Sequence, residues 1–419
     1  MTSLWTLPGL RLVATDRCRA PAPWLRWSRG TDSTSVLRRR AAALERRALG
    51  STHVLEQALA IILHLPLSTL RIVQTLRTSG PAVRRLCRIS YGRQALHLCR
   101  CAWRLGLRPQ LYYQLQLHTH RDTTAWADII DPSELHHLQR DISPANLEPL
   151  RDKLLFAEHA FAHRLPAIPL LAVWRHGRVL PWVPAHEHAL DRDLFVKRTL
   201  SYGSIGVMAF HFNATTRAHH DEQRRYSSDQ LADLLRTSSG GRTLLVQPRL
   251  SNHDDLAGFS AVALCNYRVV TGRYPDGRTE VIMATLRFPA HSALTCAETN
   301  TTLCAAVDLD AGRLHAAGSK DPALGRMERH PLSGQQVRDF PVPHWEELKS
   351  LALRAHEAWP DFPFIGWDIS DTPEGLYLVE GGCLWGGTLA QMSGGLPLGR
   401  TAFAPIYHAH LAQRARVPA

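Results

Sequence analysis

The apolar residues in the N-terminal third of the chain recur at helical spacing. Runs of this kind cover residues 35–49, 54–78 and 82–105, and each is followed within two residues by a glycine. Residues 1–33 contain prolines, glycines and serines with little periodicity. The pattern predicts an irregular tail over residues 1–33 and a helical region over residues 34–150.

After Lys153 the helical periodicity gives way to short apolar runs separated by turn residues. Strand-like runs occupy residues 168–173, 194–198, 207–212, 243–247, 259–271, 280–286, 303–309, 364–369 and 376–380. Helical spacing returns only at residues 154–163, 228–235 and 345–358. This alternation is typical of an α+β fold with mostly antiparallel strands, which we expect over residues 151–415.

The basic charge of the chain is concentrated in its N-terminal quarter. Residues 1–108 contain 19 arginines and four acidic residues, whereas the whole chain has a net charge of +12. The remainder is therefore slightly acidic. A basic surface of this kind could bind nucleic acid, anionic lipid or an acidic polymer, and an arginine-rich solvated surface is an equally weighted alternative. No motif points to a specific nucleic acid.

Several classes of protein are excluded or disfavoured by what the sequence lacks. No stretch reaches the roughly 18 uninterrupted apolar residues of a membrane span, and no basic segment leads into an apolar stretch and a cleavage site. We therefore expect a cytoplasmic protein, with peripheral contact at the inner membrane face as an alternative. Neither a G-x-S-x-G elbow nor a Walker loop occurs.

The eight cysteines and the paired histidines carry no metal motif. No CxxC pair is present, which argues against both a zinc ribbon and a disulfide framework. With 23 histidines in 419 residues, neighbouring pairs arise by chance. We expect reduced, mostly buried thiols and no transition-metal site.

Lysine is rare in this chain. Only four of the 49 basic residues are lysines, namely Lys153, Lys197, Lys320 and Lys349. Where arginine would serve, this sequence uses arginine, so a retained lysine indicates a place that needs a compact and flexible point charge.

One of these lysines precedes a glycine loop. In LFVKRTLSYGSIGVMAF, residues 194–210, Lys197 ends one predicted strand, and Gly203 and Gly206 lie in the turn to the next. Glycines let backbone N–H groups approach a phosphate closely, and a lysine at the strand end can reach the same oxygens. An ordinary tight turn is the simpler reading of this segment taken alone.

Two carboxylates end apolar strands near the C-terminus. WDISDTPEGLYLVEGG, residues 367–382, places Asp368 on one strand and Glu380 on the next. Acids in such apolar surroundings are costly unless a cation lies between them. Magnesium with a triphosphate is a natural candidate, since Mg²⁺ takes one or two carboxylates and completes its shell with phosphate oxygens and water. A solvent-facing pair is the alternative.

Two further segments offer polar groups at strand ends. In TLLVQPRLSNHDDL, residues 243–256, the strand that ends at Gln247 could hydrogen-bond a base edge, and Asp254 or Asp255 could accept from ribose hydroxyls. Arg268 and Arg287 lie on successive predicted strands, where guanidinium groups could clamp phosphate oxygens.

Taken in chain order, these pieces resemble the ATP-grasp superfamily. In particular they are similar to the group called sugar-transfer-associated or alpha-L-glutamate-ligase-like ATP-grasp proteins. That group has counterparts of similar wording and spacing for NYRVVTG, VDLDAGRL, HPLSG, PVPHWEEL and IGWDIS. The resemblance covers roughly residues 100–410. It implies an ATP-grasp fold, in which two α+β subdomains clamp ATP, preceded by the helical region.

The resemblance also implies a role for each matching position and the cofactors ATP and Mg²⁺. It implies nucleotide contacts by Lys153 and Lys197, a phosphate lid at Gly203 and Gly206, an adenine hinge at Gln247 and Leu250, a ribose contact at Asp254, stabilisation of the transferred phosphoryl group by Arg268 and Arg287, and magnesium binding by Asp368 and Glu380.

This chain departs from the family pattern at one position. The family usually follows its glutamate with x-Asn, whereas here Glu380 is followed by Gly381 and Gly382. The missing amide oxygen leaves the second metal site and turnover open.

The resemblance implies an ATP-dependent carboxylate–amine ligase that acts through an acyl phosphate, in cell-envelope or exopolysaccharide synthesis. Its substrates would be a small carboxylate and an amine, with a saccharide or a peptide among the candidates. A non-catalytic ATP-binding scaffold or sensor is the first alternative. The second alternative is an adaptor that docks on an anionic membrane or polymer through the basic helices.

Overall fold

Helices form the N-terminal part of the chain. The computed structural model describes residues 25–48, 54–120, 122–180, 190–200, 206–296, 301–393 and 396–416. The helices before the first strand are α1 (Arg26–Arg29), α2 (Ser33–Ala48), α3 (Val54–Cys87), α4 (Tyr91–Cys99), α5 (Pro109–Gln114), α6 (Pro132–Ile142), α7 (Glu148–Arg151) and α8 (Lys153–Ala162), with a π-helical turn at Arg100–Arg104 and 3₁₀ turns at Leu117–Thr119 and Ala125–Asp128. The predicted helical character of this region is confirmed.

Buried ion pairs fix the helices to one another. Arg38 of α2 donates to Glu134 of α6 at 3.1 Å, and both side chains are almost fully buried. Glu134 also completes a capping box with Asp131 at the start of α6. Arg108 holds the Asp131 carboxylate with two hydrogen bonds of 2.9 Å. These bonds satisfy carboxylates that would otherwise be costly to bury.

Helix α3 is longer than the sequence pattern predicts. It continues from Val54 to Cys87 through Pro66 and Pro81, where the pattern predicted a break between two helices. Its buried side packs on the π-helical turn, where the Trp103 indole N–H donates to the Ser68 hydroxyl at 3.1 Å. Tertiary packing of this kind overrides the local effect of proline and glycine.

The first sheet has seven strands. They are β1 (Ala172–Arg175), β2 (Arg178–Leu180), β3 (Leu194–Arg198), β4 (Met208–Asn213), β5 (Ala218–His220), β6 (Arg225–Tyr226) and β7 (Thr243–Pro248), in the order β2-β1-β7-β3-β4-β5-β6. Helix α9 (Ser228–Ser238) buries Leu231 and Leu235 in the same core as the inner residues of β3, β4 and β7.

The second sheet has six strands and the largest core. They are β8 (Asn266–Arg273), β9 (Thr279–Pro289), β10 (Thr302–Asp308), β11 (Arg313–Leu314), β12 (Phe364–Thr372) and β13 (Gly375–Gly382), in the order β11-β10-β9-β8-β12-β13. Helix α10 (Trp345–Ala358) packs on this sheet and contributes Leu348 and Ala352 to its core. All pairs of neighbouring strands in both sheets are antiparallel, as predicted.

The N-terminal helices share cores with the second sheet and with the C-terminal helices α11 (Thr388–Ser393) and α12 (Phe403–Arg416). One such core joins Leu37 of α2 to Val270 of β8 and Phe403 of α12. Asp141 of α6 accepts from Arg40 of α2 and from the Tyr407 hydroxyl of α12. The helical region is therefore packed into the sheet-containing part of the chain.

The α+β fold class is confirmed, whereas the predicted domain boundaries at residues 33 and 150 stay predictions. Most of the predicted irregular tail lies outside the described residues, and Arg26–Arg29 within it form a short helix. Within the described ranges, no helix has both the length and the apolar character needed to cross a membrane.

Candidate functional site

A cavity of about 400 Å³ lies between the two sheets. Strands β3 and β7 of the first sheet contribute Lys197 and Gln247 to its wall. Strands β8, β12 and β13 of the second sheet contribute Arg268, Asp368 and Glu380. Lys153, Leu250 and Arg287 line it as well, so the fold brings to one cavity eight residues that the sequence analysis singled out.

Strand register explains why several of these side chains point the same way. Asp368 of β12 lies directly opposite Arg268 of β8 and Glu380 of β13. Residues directly opposite one another in antiparallel strands face the same side of the sheet. Arg287 of β9 lies opposite Asn266, two residues from Arg268, and joins the same face on the diagonal. Two arginines and two carboxylates therefore line one side of the cavity.

Asp368 is held by both arginines. The Arg268 Nε donates to Oδ1 at 2.6 Å and its Nη2 to Oδ2 at 3.1 Å, while the Arg287 Nη2 donates to Oδ1 at 2.5 Å. Burial by itself would raise the pKa of Asp368, but the charges and hydrogen bonds of the two guanidinium groups hold that pKa well below its usual range. Asp368 is therefore a carboxylate at neutral pH.

The two predicted nucleotide lysines approach the cavity from the other side. Lys153 lies 3.4 Å from a Glu380 carboxylate oxygen. Lys197 is only 6% exposed. Burial lowers the pKa of Lys197 to about 8, an effect that Glu380 opposes and the charge of Lys153 adds to. A buried ammonium next to a second cation is costly, and an anionic ligand between the two would relieve that cost.

The start of α8 explains how Lys153 reaches this position. The Asp152 carboxylate caps the helix by accepting from the backbone N–H groups of Leu154 and Leu155 at 2.8 and 3.3 Å. The Lys153 backbone N–H donates to the Thr199 carbonyl at 3.2 Å. Because Thr199 directly follows β3, this bond ties the first turn of α8 to the strand that carries Lys197.

The opposite half of the cavity is apolar and ends at Gln247. Ile168, Phe195, Val207, Leu250, Val262 and Leu264 line it. Gln247 is 4% exposed and donates from Nε2 to the Ile168 carbonyl at 3.3 Å. Its Oε1 is buried and has no hydrogen-bond partner within the described residues. An apolar slot with one unsatisfied acceptor suits a flat heteroaromatic ring that carries an amino group.

The structure leaves three predicted residues apart from this group. Gly203 lies outside the described residues. Gly206 has φ +74°, and a Cβ there would collide with the Arg198 guanidinium, so the backbone requires glycine although Gly206 is not among the residues that line the cavity. Asp254 begins the 3₁₀ turn Asp254–Leu256 and likewise does not line it. The lid and ribose roles stay predictions.

The carboxylates of Asp368 and Glu380 suit a magnesium ion only if other oxygen atoms complete its coordination shell. Within the described part of the chain, no group of three or more histidine, cysteine or acidic side chains could hold a metal. Asp368 and Glu380 together provide the one or two carboxylates that Mg²⁺ takes when phosphate oxygens complete its shell. Gly382 also lines the cavity, and a Cβ built on it meets no atom within 4 Å. The backbone there has room for the Cβ of the asparagine that the family pattern carries.

Sequence reasoning missed several polar residues of the cavity wall, among them Arg151, Arg249 and Asn266. Arginines account for all but four of the 49 basic residues, so no local signal separates Arg151 or Arg249 from a solvated arginine. Asn266 opens the NYRVVTG segment. Its Oδ1 accepts from the Ser370 hydroxyl at 2.6 Å, a contact that depends on strand pairing and could not be read from spacing.

Comparisons with solved structures give distant similarities. D-alanine–D-alanine ligase from Bacillus anthracis, complexed with ATP, has 11% identity and a TM-score of 0.38 over 64% of this chain and 68% of that one. D-alanyl-alanine synthetase A from Vibrio cholerae has 12% identity and a TM-score of 0.36 over 63% and 65%. N5-carboxyaminoimidazole ribonucleotide synthetase from Thermotoga maritima has 10% identity and a TM-score of 0.30 over 60% and 43%. No curated protein matches the chain.

A family model gives the more extensive match. The model described as sugar-transfer associated ATP-grasp matches residues 136–402, which is well over half of the chain. The matched range contains the cavity residues from both sheets, and it confirms the resemblance on which the site residues were assigned. The chain belongs to the sugar-transfer-associated ATP-grasp family.

Proposed function

We propose that this protein is an ATP-dependent ligase that activates a carboxylate as an acyl phosphate and transfers the acyl group to an amine. The observation that carries the proposal is the row of Arg268, Asp368 and Glu380 across three strands, facing the buried Lys197 over one cavity. Phosphoryl transfer needs positioning and charge neutralisation more than a covalent nucleophile. The charged side chains of the cavity wall can supply both.

In this proposal the apolar half of the cavity holds adenine, with the Gln247 amide oxygen accepting from its amino group. Lys153 and Lys197 bind phosphate oxygens. Asp368 and Glu380 would hold magnesium, which when bound supplies charge that neutralises the triphosphate. Asp368 has to loosen at least part of its contact with Arg268 and Arg287 to accept the metal. The freed guanidinium groups can then turn to the oxygens of the transferred phosphoryl group.

The reaction has two balanced steps. A substrate carboxylate oxygen attacks the γ-phosphorus, and the bond from that phosphorus to ADP breaks. An amine nitrogen then attacks the acyl carbon, phosphate leaves with the carbon–oxygen bond electrons, and the nitrogen loses a proton. Arg268 and Arg287 stabilise charge on the phosphoryl group in the first step. Exclusion of water protects the acyl phosphate between the two steps.

The identities of the carboxylate substrate and the amine substrate are to be found by screening. The family description associates these proteins with sugar transfer, so amino acids and uronic acids come first in a screen, and envelope or exopolysaccharide synthesis in the cytoplasm is the proposed setting. The test is phosphate release from MgATP over this panel with the wild type, Lys197→Ala and Lys349→Ala. Lys349 lies on α10 and does not line the cavity. Substrate-stimulated release that Lys197→Ala abolishes and Lys349→Ala retains supports the ligase; release that neither substitution changes contradicts it.

Two observations favour a second function, an ATP-binding scaffold without turnover. Gly382 replaces the asparagine of the family pattern, and Asp368 is already neutralised by two arginines. Magnesium-dependent ATP binding without phosphate release across the whole panel would favour the scaffold over the ligase.

A further inference from the structure

Exposed apolar side chains are concentrated on α3 and α4, and none of them lines the cavity in which the reaction is proposed to take place. Seven of the fourteen large apolar side chains that are exposed within the described residues fall between Ile62 and Leu96. Such side chains scattered singly need no explanation, whereas a cluster marks an interaction surface.

On α3 these side chains share one side of the helix. Ile62, Leu65, Leu70 and Val73 are 69%, 42%, 55% and 40% exposed. At 3.6 residues per turn, separations of three, eight and eleven residues keep all four on one side. The other side of the helix carries Ser68, Ile72 and Thr75, which are buried against the protein.

The same side turns basic further along the chain. Arg77 and Arg84 are exposed and continue the helix face of Ile62, and Arg85 is exposed beside them. Between Glu56 and Asp122 the sequence contains ten arginines and no acidic residue. We call this combined surface of exposed apolar and arginine side chains on α3 and α4 the basic–apolar face.

We propose that the basic–apolar face docks the protein on an anionic membrane surface. The aliphatic side chains would enter the boundary between headgroups and acyl chains, and the arginines would lie at the level of the lipid phosphates. Stable peripheral binding takes two signals, and an apolar patch next to a basic patch provides both. Because α3 lacks the apolar character of a membrane span, the interaction is with the surface of the bilayer.

The positive charge of the basic–apolar face favours an anionic membrane over a second copy of the chain as its binding partner. A symmetric dimer through the basic–apolar face would bring two arginine-rich surfaces together, with no carboxylate in residues 57–121 to separate them. An anionic lipid surface offers opposite charge over the whole area and an apolar layer beneath it.

The test is co-sedimentation of the full chain with vesicles of phosphatidylcholine alone and of phosphatidylcholine mixed in equal parts with phosphatidylglycerol. We expect binding to the anionic vesicles only, and a marked loss when the ionic strength rises from about 0.1 M to about 1 M, where the screening length falls from about 10 Å to about 3 Å. Equal binding to both vesicles, or binding to neither, overturns the proposal.

Paired variants separate the two signals. Leu70→Ser with Val73→Ser removes apolar contact, and Arg77→Gln with Arg85→Gln removes charge. Each pair should weaken binding roughly tenfold. The matched controls are Leu332→Ser, at a leucine that is 65% exposed elsewhere, and Arg242→Gln, at an exposed arginine after α9. The proposal is overturned if the control variants weaken vesicle binding as much as the paired variants do. It is also overturned if the protein dimerises through this face and does not bind lipid vesicles.

Discussion

Positive charge serves two different purposes in the cavity and on helix α3. In the cavity, Arg268 and Arg287 meet the carboxylate of Asp368 at hydrogen-bond distance, and Lys153 lies near Glu380. Along α3, Arg77, Arg84 and Arg85 are exposed on a segment that contains no acidic residue after Glu56. Paired charges at short range set the geometry and the protonation states of a small site. Charges spread over a surface act over longer distances and on larger partners.

The largest expected effect breaks the pairing in the cavity. Asp368→Asn leaves two buried guanidinium groups without a counter-charge. We expect the free energy of unfolding to fall by about 3–5 kcal/mol, as for other buried pairs that lose one partner, and ATP-dependent turnover to be abolished. Urea denaturation followed by circular dichroism measures the first effect. Arg77→Gln on α3 is the control, and we expect it to change the free energy of unfolding by less than about 0.5 kcal/mol. A loss of stability in Asp368→Asn no larger than that of the control would contradict this account of the site.

The second prediction concerns pH and Lys197. Its folded-state pKa of about 8 lies below the ordinary value of 10.5. Between these values the unfolded chain binds a proton that the folded chain does not, so the contribution of Lys197 to stability rises with pH across this window. Wild type should gain stability relative to Lys197→Met from pH 8 to pH 10, measured by chemical denaturation at each pH. Parallel stability curves for the two proteins would show that Lys197 is not desolvated.

Bound ATP should counteract the effect of burial on the pKa of Lys197. Phosphate oxygens favour the charged ammonium and raise the pKa of Lys197. The affinity for ATP should therefore fall as the pH rises above about 8, and this fall should be absent in Lys197→Met. Titration calorimetry at constant ionic strength measures it. A pH-independent affinity in the wild type would place the phosphates away from Lys197.

The third prediction restores the missing amide oxygen. Gly382→Asn should lower the magnesium concentration needed for half-maximal ATP binding by roughly tenfold, the size of effect of one ligand-supporting group, with stability unchanged because a Cβ there meets no atom within 4 Å. Gly381→Asn is the control. A Cβ at Gly381 would lie 2.9 Å from Trp367 and 3.0 Å from Leu150, so this variant should be destabilised. If Gly382→Asn leaves the magnesium dependence unchanged, Gly382 does not face the metal.

The smallest expected effect is on α3. Leu70→Ser should change the free energy of unfolding by less than about 0.5 kcal/mol, because Leu70 is 55% exposed. Ile72→Ser on the buried side of the same helix should cost several times more, because Ile72 is 5% exposed. Equal losses in thermal unfolding would show that the basic–apolar face is covered within the protein.

The longer strands and their antiparallel pairing could be predicted because alternating short apolar runs are a local signal, whereas the strands of two or three residues, β2, β5, β6 and β11, were not predicted. The site required more than local information. Asp368, Arg268 and Glu380 are brought together by strand register, which the spacing of residues does not determine. The family resemblance identified these residues singly and implied separate roles for them. The double contact of Asp368 with two arginines follows only from the folded sheet.

In helix α3, by contrast, a local sequence signal led to a wrong prediction. Gly80 and Pro81 are local signals for a break, and the sequence analysis placed one there. In the structure the helix runs on through both residues, and the Gln94 side chain packs there and donates to the Gly80 carbonyl at 3.3 Å. Local propensity of about 3 kcal/mol or less per residue is readily outweighed by packing along a long helix.

The most direct test of the central claim is titration calorimetry of ATP with and without magnesium on the wild type, Lys197→Ala and Lys349→Ala. Because Asp368 is held by two arginines, we expect magnesium alone to bind weakly and magnesium with ATP to bind tightly. Lys197→Ala should weaken that binding at least roughly tenfold, as loss of a charged hydrogen bond does, and Lys349→Ala should leave it unchanged. No ATP binding by the wild type, or equal binding by all three proteins, would contradict the assignment of this cavity as the nucleotide site.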